Sequence, residues 1–194
     1  MRNQYLSNAP WDIPRMENVG TFDAQGLKVI GFDNLAKKNN RACTLVHSFV
    51  DDTHLDSLYN NPDKLISTLS QFRYLLSPDF SLYTDMPLAL QLYNTFKNRW
   101  CGRYWQQLGL SVIPTISWGT EKSFSFCFEG VPEHSIVAVS TIGCRLYKQN
   151  FLLGYRKMLE IIDPALVLCF DTPFPEMEGE ILRIKTKRGP TEEE

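Results

Sequence analysis

Ile136-Val137-Ala138-Val139-Ser140, the helical stretch 144–162 and Leu166-Val167-Leu168-Cys169-Phe170 form the passage on which the fold turns. The two outer runs are continuously apolar and lack the in–out alternation of a half-solvated strand, so they suit strands buried on both faces, as in a parallel sheet. Between them Tyr147, Phe151, Tyr155, Met158 and Ile162 recur at steps of three or four, one face of an α-helix. Asp163-Pro164 ends that helix, because the residue before a proline resists helical geometry. Strand, helix and strand in this order make a right-handed parallel crossover.

The same alternation extends outward. Residues 27–32, 44–50, 74–76, 111–116 and 181–184 are the other strand candidates. Asn61-Pro62-Asp63 places a capping residue before a proline at a first helical position, followed by Leu65, Ile66, Leu69 and Phe72 at helical spacing. The longest helix is predicted to begin near Asp85-Met86-Pro87 and to stop at Gly109, with Ala89, Tyr93, Phe96, Trp100 and Tyr104 along one face. A short helix is predicted over 121–128, closing at Gly130. The fold class is therefore α/β: alternating strands and helices around a mainly parallel sheet, with a small or partial β/α barrel favoured over an open doubly wound sheet. Neither a Gly-x-Gly-x-x-Gly turn nor a phosphate-cradling Gly-Lys-Ser/Thr loop is present, so nucleotide binding of the usual open-sheet kind loses support.

A chain of 194 residues suits one domain and can bury a sizeable core without disulfides or a structural metal. Its net charge of −2 gives no global pull toward nucleic acid or membrane. Five cysteines, none in a Cys-x-x-Cys pair and three inside apolar runs, read as free thiols in a reducing compartment, hence the cytoplasm, or the host cytoplasm for a phage product. No run approaches the ~20 apolar residues that span a bilayer. Residues 1–26 read as a loop region packed on the body through Trp11 and Ile13, and 187–194 as a disordered tail.

Ligands of parallel α/β folds bind at the carboxyl ends of the strands. There the sequence places Asp33, Asp51 and Asp52, then Ser77 and Asp79 with Tyr83, then Thr115, Ser117 and Trp118, then Ser140 and Thr141, and finally Asp171. Helix capping accounts for any one of these Asp, Ser or Thr residues taken alone. Capping does not call for Tyr83, Trp118 and the Trp100/Trp105 pair beside them, and a polar cleft with stacking surfaces suits a sugar or a base. Asp79 and Asp171 are the candidate acid–base pair. His47, Asp51, Asp52 and His54 match no familiar zinc spacing, and His47 is expected to face a helix layer. Lys97, Arg99 and Arg103 beside Trp100, Tyr104 and Trp105 offer phosphate contacts and stacking; the plainer account is an amphipathic helix with its aromatic stripe in the core and its cations in water. Gly102 inside that helix costs about 1 kcal/mol relative to Ala and predicts a close neighbour.

The runs Leu76-Ser77-Pro78-Asp79-Phe80-Ser81-Leu82-Tyr83, Asp85-Met86-Pro87, Asn98-Arg99-Trp100 and Tyr104-Trp105-Gln106 resemble those of one family. So do 112–118, Phe126-Cys127-Phe128-Glu129-Gly130 and 137–141. It is the family catalogued as domain of unknown function 4417, of bacteria, phages and other mobile elements, and the likeness runs from about Tyr5 to Asp171. The resemblance implies a phage or mobile-element setting and supplies no catalytic residues.

Three functions are the resulting expectations. The first is a nucleotide-like or sugar-like small ligand bound, or hydrolysed, at the strand-end rim by Asp79, Asp171, Ser77, Tyr83, Arg99, Thr115, Ser117, Trp118, Ser140 and Thr141. The second is a nucleic-acid-associated factor for replication or maintenance of a mobile element. The third is a protein effector acting on a host enzyme.

Overall fold

The protein is described here from a computed structural model, at residues 5, 7, 10–37 and 40–185. The predicted tail, 187–194, lies outside the described residues. Strands β1 (Lys28–Gly31), β2 (Thr44–His47), β3 (Tyr74–Leu76) and β4 (Val112–Ile113) pair in parallel in that order, and β5 (Ile136–Ser140), β6 (Leu166–Phe170) and β7 (Ile181–Ile184) do the same. Pro114 cuts the predicted 111–116 strand short. It has no amide hydrogen to continue the ladder, and beyond it the chain changes partner. The Pro114 carbonyl accepts from the Ala138 amide at 2.9 Å and the Ile116 amide donates to the Ala138 carbonyl at 2.8 Å, joining β4 to β5. Seven parallel strands thus succeed one another in sequence order.

The sheet curls. Flat strands stand about 4.8 Å apart, so β2 and β6, four places removed, would lie about 19 Å apart. Instead the rings of His47 and Phe49 sit 5.3 and 4.8 Å from that of Phe170. Leu45, Tyr74, Leu76, Ile113, Ile136, Ala138, Leu168, Phe170 and Ile184 form the inner core, joined by Val19 and Phe22 of the N-terminal segment. Alternate residues face outward in two groups. Ile30, Val46, Leu75 and Val112 pack under α3 (Leu88–Gln107), and Val137, Val139, Val167 and Cys169 under α4 (Lys148–Ile162). The architecture is a partial β/α barrel, with no β7–β1 pairing among the described residues.

The helices depart from expectation in instructive places. Asn61-Pro62 ends a helix instead of starting one: α1 (Asp56–Asn60) stops there, and only the single turn α2 (Ile66–Leu69) comes after it. The reason is the one that ends α4 at Asp163-Pro164, where Asp163 adopts a left-handed φ of 44°. The predicted helix over 121–128 is a 3-10 stretch, Glu121–Ser125. His47 faces the inner core and not a helix layer, since it shares the face of Leu45. Ile13 and Met16 are buried, while Trp11 donates its indole N–H to the Ser125 carbonyl at 3.0 Å. A Cβ on Gly102 would strike the Met16 side chain and crowd Ser77, the close neighbour its presence predicted. No helix among the described residues is long and apolar enough to cross a membrane.

Candidate functional site

A cavity of about 820 Å³ opens at the carboxyl ends of β2 to β5, roofed on one side by the start of α4. Asp79, Tyr83, Ser117, Trp118 and Ser140 line it, together with Asp51, Asp85, Cys144, Tyr147 and Asn150, which sequence reasoning did not single out as ligands. Its volume falls within the range of small-molecule sites.

The helix beside this cavity explains how its rim is held. The most buried face of α3 is polar: Gln91, Thr95, Asn98 and Arg99 are all buried, while Ala89 and Tyr93 of the predicted apolar stripe are exposed. These polar groups hydrogen-bond the β3–α3 loop and the end of β4. Gln91 donates its side-chain amide to the carbonyls of Tyr83 and Met86 at 3.1 and 2.8 Å. Asn94 donates to the Ser81 carbonyl at 2.8 Å, and Asn98 to that of Thr115 at 3.2 Å. The loop in turn leans on the β2 side, where Ser81 donates its hydroxyl to Asp52 at 3.0 Å.

Arg99 is the deepest member of this set, 1% exposed. Its guanidinium donates to the carbonyls of Thr115, Cys127 and Glu129 at 2.9, 2.9 and 3.0 Å and to Asn98 Oδ1 at 2.7 Å. Burial lowers its pKa to about 10, against the nearby Cys127 and Asp79. Arg99 is outside the cavity lining; it ties the end of β4 to the 127–129 turn. Lys97 is buried with its ammonium over the Phe80 ring at 3.9 Å, and Arg103 pairs with Glu17 at 2.6 Å. Lys97 and Arg99 therefore stand out of water, while Arg103 is half-buried and ion-paired at the surface.

Four other predicted residues hold the frame. Ser77 donates to Asn98 Oδ1 at 2.7 Å and accepts from the Thr115 amide at 2.8 Å, filling the ladder position at the break after Pro114. Thr115 returns a hydroxyl bond to the Ser77 carbonyl at 2.8 Å. Thr141 donates to the carbonyls of Phe170 and Thr172 at 3.2 and 3.0 Å. Asp171, with φ 77°, lies outside the lining, its amide donating to the Ile184 carbonyl at 3.1 Å.

Asp79 is the lining carboxyl whose pKa is most strongly shifted. It is partly exposed into the cavity, while its Oδ1 is covered and has no hydrogen-bond partner. Burial pushes its pKa up to about 7; a hydrogen bond from Ser117 and the more distant Arg99 pull it down, and the charge of Asp52 pushes it up. The carboxylate acting on Asp79 is thus Asp52 and not Asp171. A carboxyl ionising near neutrality can donate or accept a proton at physiological pH. Cys144, close enough to feel the charge of Asp79, has its thiol pushed up to about 11, chiefly by burial, which disfavours a thiolate nucleophile. Trp118 forms a wall, its indole laid on α4 where Gly154 leaves no Cβ to meet it. No group of His, Cys, Asp and Glu among the described residues is arranged to hold a metal.

The runs 76–83, 98–100, 112–118, 126–130 and 137–141 all meet around Arg99 and this cavity. They carry the family likeness, and the comparison with known families agrees. The chain belongs to the family described as "Domain of unknown function (DUF4417)", whose model matches residues 5–187. It is similar to the Gene 1 protein of Mycobacterium phage L5, 40% identical over 152 residues, covering 73% of this chain and 65% of that one. The Gene 1 protein of Mycobacterium phage D29 is 37% identical over 143 residues, covering 69% of this chain and 53% of that one. The match therefore spans less than two thirds of either relative. No solved structure matches the chain.

Proposed function

We propose that the chain binds a small molecule, nucleotide-like or sugar-like in shape, in the cavity at the ends of β2 to β5. The observation that carries this reading is the Asp79 carboxyl, opening into a site-sized cavity with one oxygen unpartnered. The unpaired Oδ1 is itself covered, so a ligand donor meets this carboxyl through its cavity-facing part. Tyr83 and Trp118 supply faces for a ring, and Ser140 orients it. Where the bound molecule is hydrolysed, Asp79 is the proton carrier. Asp171 serves as the second carboxylate for a ligand long enough to pass Ser140 and Thr141 and reach the end of β6.

A thermal-shift panel of nucleosides, nucleotides, sugars and short DNA tests the reading. Ligand at about 100 times its Kd adds roughly 2.7 kcal/mol of stability. A small-molecule shift that disappears in Asp79→Asn, with that variant folded, is the expected result; no shift from any small molecule defeats it. The nucleic-acid reading loses Lys97 and Arg99 to internal contacts, and Arg103 is paired with Glu17 at the surface. A protein-effector reading draws on Ile142, Leu146 and Tyr147, exposed apolar residues in the segment between β5 and α4, with Leu146 91% exposed. For that reading Leu146→Glu would abolish host-protein association and leave small-molecule binding intact.

A further inference from the structure

The charge and hydrogen-bonding character of the cavity wall point to a ligand class. Among the described residues three carboxylates line it, Asp51, Asp79 and Asp85, and no Lys, Arg or His does; Asp51 Oδ1 already accepts from the Thr53 amide and hydroxyl at 3.0 and 2.6 Å. The cations nearby are occupied or lie outside: Arg99 is bound by four acceptors, Lys148 pairs with Glu176 at 2.7 Å, and Arg145 is not part of the lining. Several neutral donors are also spent internally. Ser81 gives its hydroxyl to Asp52, Ser117 bonds Asp79, and Asn150 turns its amide nitrogen to the Gly119 carbonyl at 2.8 Å. What remains is the carboxylates together with the neutral hydroxyls of Tyr83, Thr84, Ser140 and Tyr147, bounded by the aromatic rings of Tyr83, Trp118 and Tyr147.

We infer that this cavity takes a small molecule carrying an ammonium or guanidinium group and no phosphate, with the positive group at Asp79 and its body against the aromatic walls. The inference rests on the small-ligand reading above and narrows it. A phosphate would face Asp79 and Asp85 with no cation of the described residues in the lining to compensate, a like-charge juxtaposition that weakens binding. A cation gains from the carboxylates and from the ring faces. Of nucleotide-like and sugar-like molecules, the wall thus admits aminosugars and amine-bearing aromatics and rejects phosphorylated ones. The groups facing Asp79 are Asp52 ahead of α1, Arg99 on α3, Ser117 after β4 and Cys144 ahead of α4. With burial holding the Asp79 pKa near 7, a cation binds the ionised form, so affinity rises with pH from 6 to 8.

Matched probes test this on the intact protein: glucosamine, N-acetylglucosamine and glucosamine 6-phosphate; tyramine and tyrosine; agmatine and arginine. Calorimetry gives affinities, and the rate at which iodoacetamide alkylates Cys144, a residue of the lining, reports occupancy of the cavity itself. The expected result is that at least one of glucosamine, tyramine and agmatine binds and slows alkylation. Its acetylated, phosphorylated or carboxylated relative should bind at least about tenfold more weakly. Asp79→Asn should lose about tenfold in affinity for that amine while remaining folded. If that variant does not fold, the wild type at pH 6 and 8 decides, with stronger binding at pH 8 required. Equal or tighter binding of the neutral or anionic relatives, with Cys144 protected, overturns the charge inference and leaves the small-ligand site standing. Amine binding that does not protect Cys144, or is unaffected by Asp79→Asn, overturns the placement at this cavity. Failure of every probe to bind or protect overturns both readings.

Discussion

Helices α3 and α4 cover neighbouring parts of the same curled sheet, yet they bury opposite chemistry. Against the sheet α4 turns Phe151, Leu152, Tyr155, Met158 and Ile162, an apolar stripe at regular helical steps. Toward the strand-end rim α3 turns Gln91, Thr95, Asn98 and Arg99, and it becomes apolar only further along, at Trp100, Cys101 and Trp105. The contrast separates two tasks. An apolar stripe needs only to be removed from water, and its contacts are non-directional. A polar stripe under cover must find a partner for every donor, and here the partners are the carbonyls of the segments that shape the cavity. The α4 side holds the fold, and the α3 side also holds the site.

The largest expected effect tests this on the α3 side. Arg99→Met leaves the carbonyls of Thr115, Cys127 and Glu129 without their donor. Denaturant unfolding should show a loss of about 3–5 kcal/mol. Arg99→Lys should fail to restore it, because one ammonium cannot reproduce the fork. A loss below about 1 kcal/mol would break the comparison. On the α4 side, Met158→Ala, at a fully buried position, should cost about 2–5 kcal/mol through the cavity it leaves, with ligand affinity measured on the folded fraction unchanged.

Titration adds a test, because two strongly perturbed groups lie at neighbouring strands, Asp79 just past β3 and His47 of β2 facing the inner core. Asp79 has its pKa raised from 3.8 to about 7, so from pH 4 to 7 the folded state binds the extra proton and stability falls as pH rises. His47 has its pKa lowered from 6.5 to about 4, mainly by burial and against Asp33, so from pH 6.5 down to 4 the unfolded state binds the extra proton and stability falls as pH drops. In the wild type the two slopes oppose each other between pH 4 and 6.5. Asp79→Asn should unmask a stability that climbs with pH over that window, and His47→Leu one that declines from pH 4 to 7. Each slope should approach about 1.4 kcal/mol per pH unit. Parallel pH profiles for the two variants would show that these groups do not govern stability.

The smallest effect is local. Gln91→Ala removes the bonds to the Tyr83 and Met86 carbonyls, a loss of about 1 kcal/mol. Amide exchange should speed up across residues 83–86 more than along α4, and ligand affinity should fall more than the melting temperature suggests. Uniform exchange changes would mean that the loop is not held by α3.

Much of the frame is legible in the residues. Continuous apolar runs announce parallel strands, and the stripe from Phe151 to Ile162 announces α4, because burial on two faces and on one face leave different periodicities. Asp79, Tyr83, Ser117, Trp118 and Ser140 are legible as the polar and aromatic residues just past the strands, since parallel topology brings all strand ends to one rim. Asp51 carries the same strand-end signal, whereas Asp85, Cys144, Tyr147 and Asn150 enter the lining without it, as positions in loops and at the start of α4 whose direction no strand end dictates. Asn61-Pro62 misleads because a cap-and-proline pair can close a helix as well as open one. Arg99 misleads because cations are almost always solvated, and nothing short of its partners shows that this one is enclosed.

By itself, then, the sequence determined the parallel α/β class, the two principal helices and the rim on which a site would lie, all consequences of local periodicity and right-handed connection, while the order of the strands came with the tertiary structure. Only the tertiary structure decided that the sheet curls until β2 meets β6, that the polar face of α3 turns inward and that Asp79 faces Asp52 and not Asp171. The physical reason is that hydrogen bonds and charges act over a few ångströms between groups distant in the chain, so their pairing exists only once the backbone has brought them together.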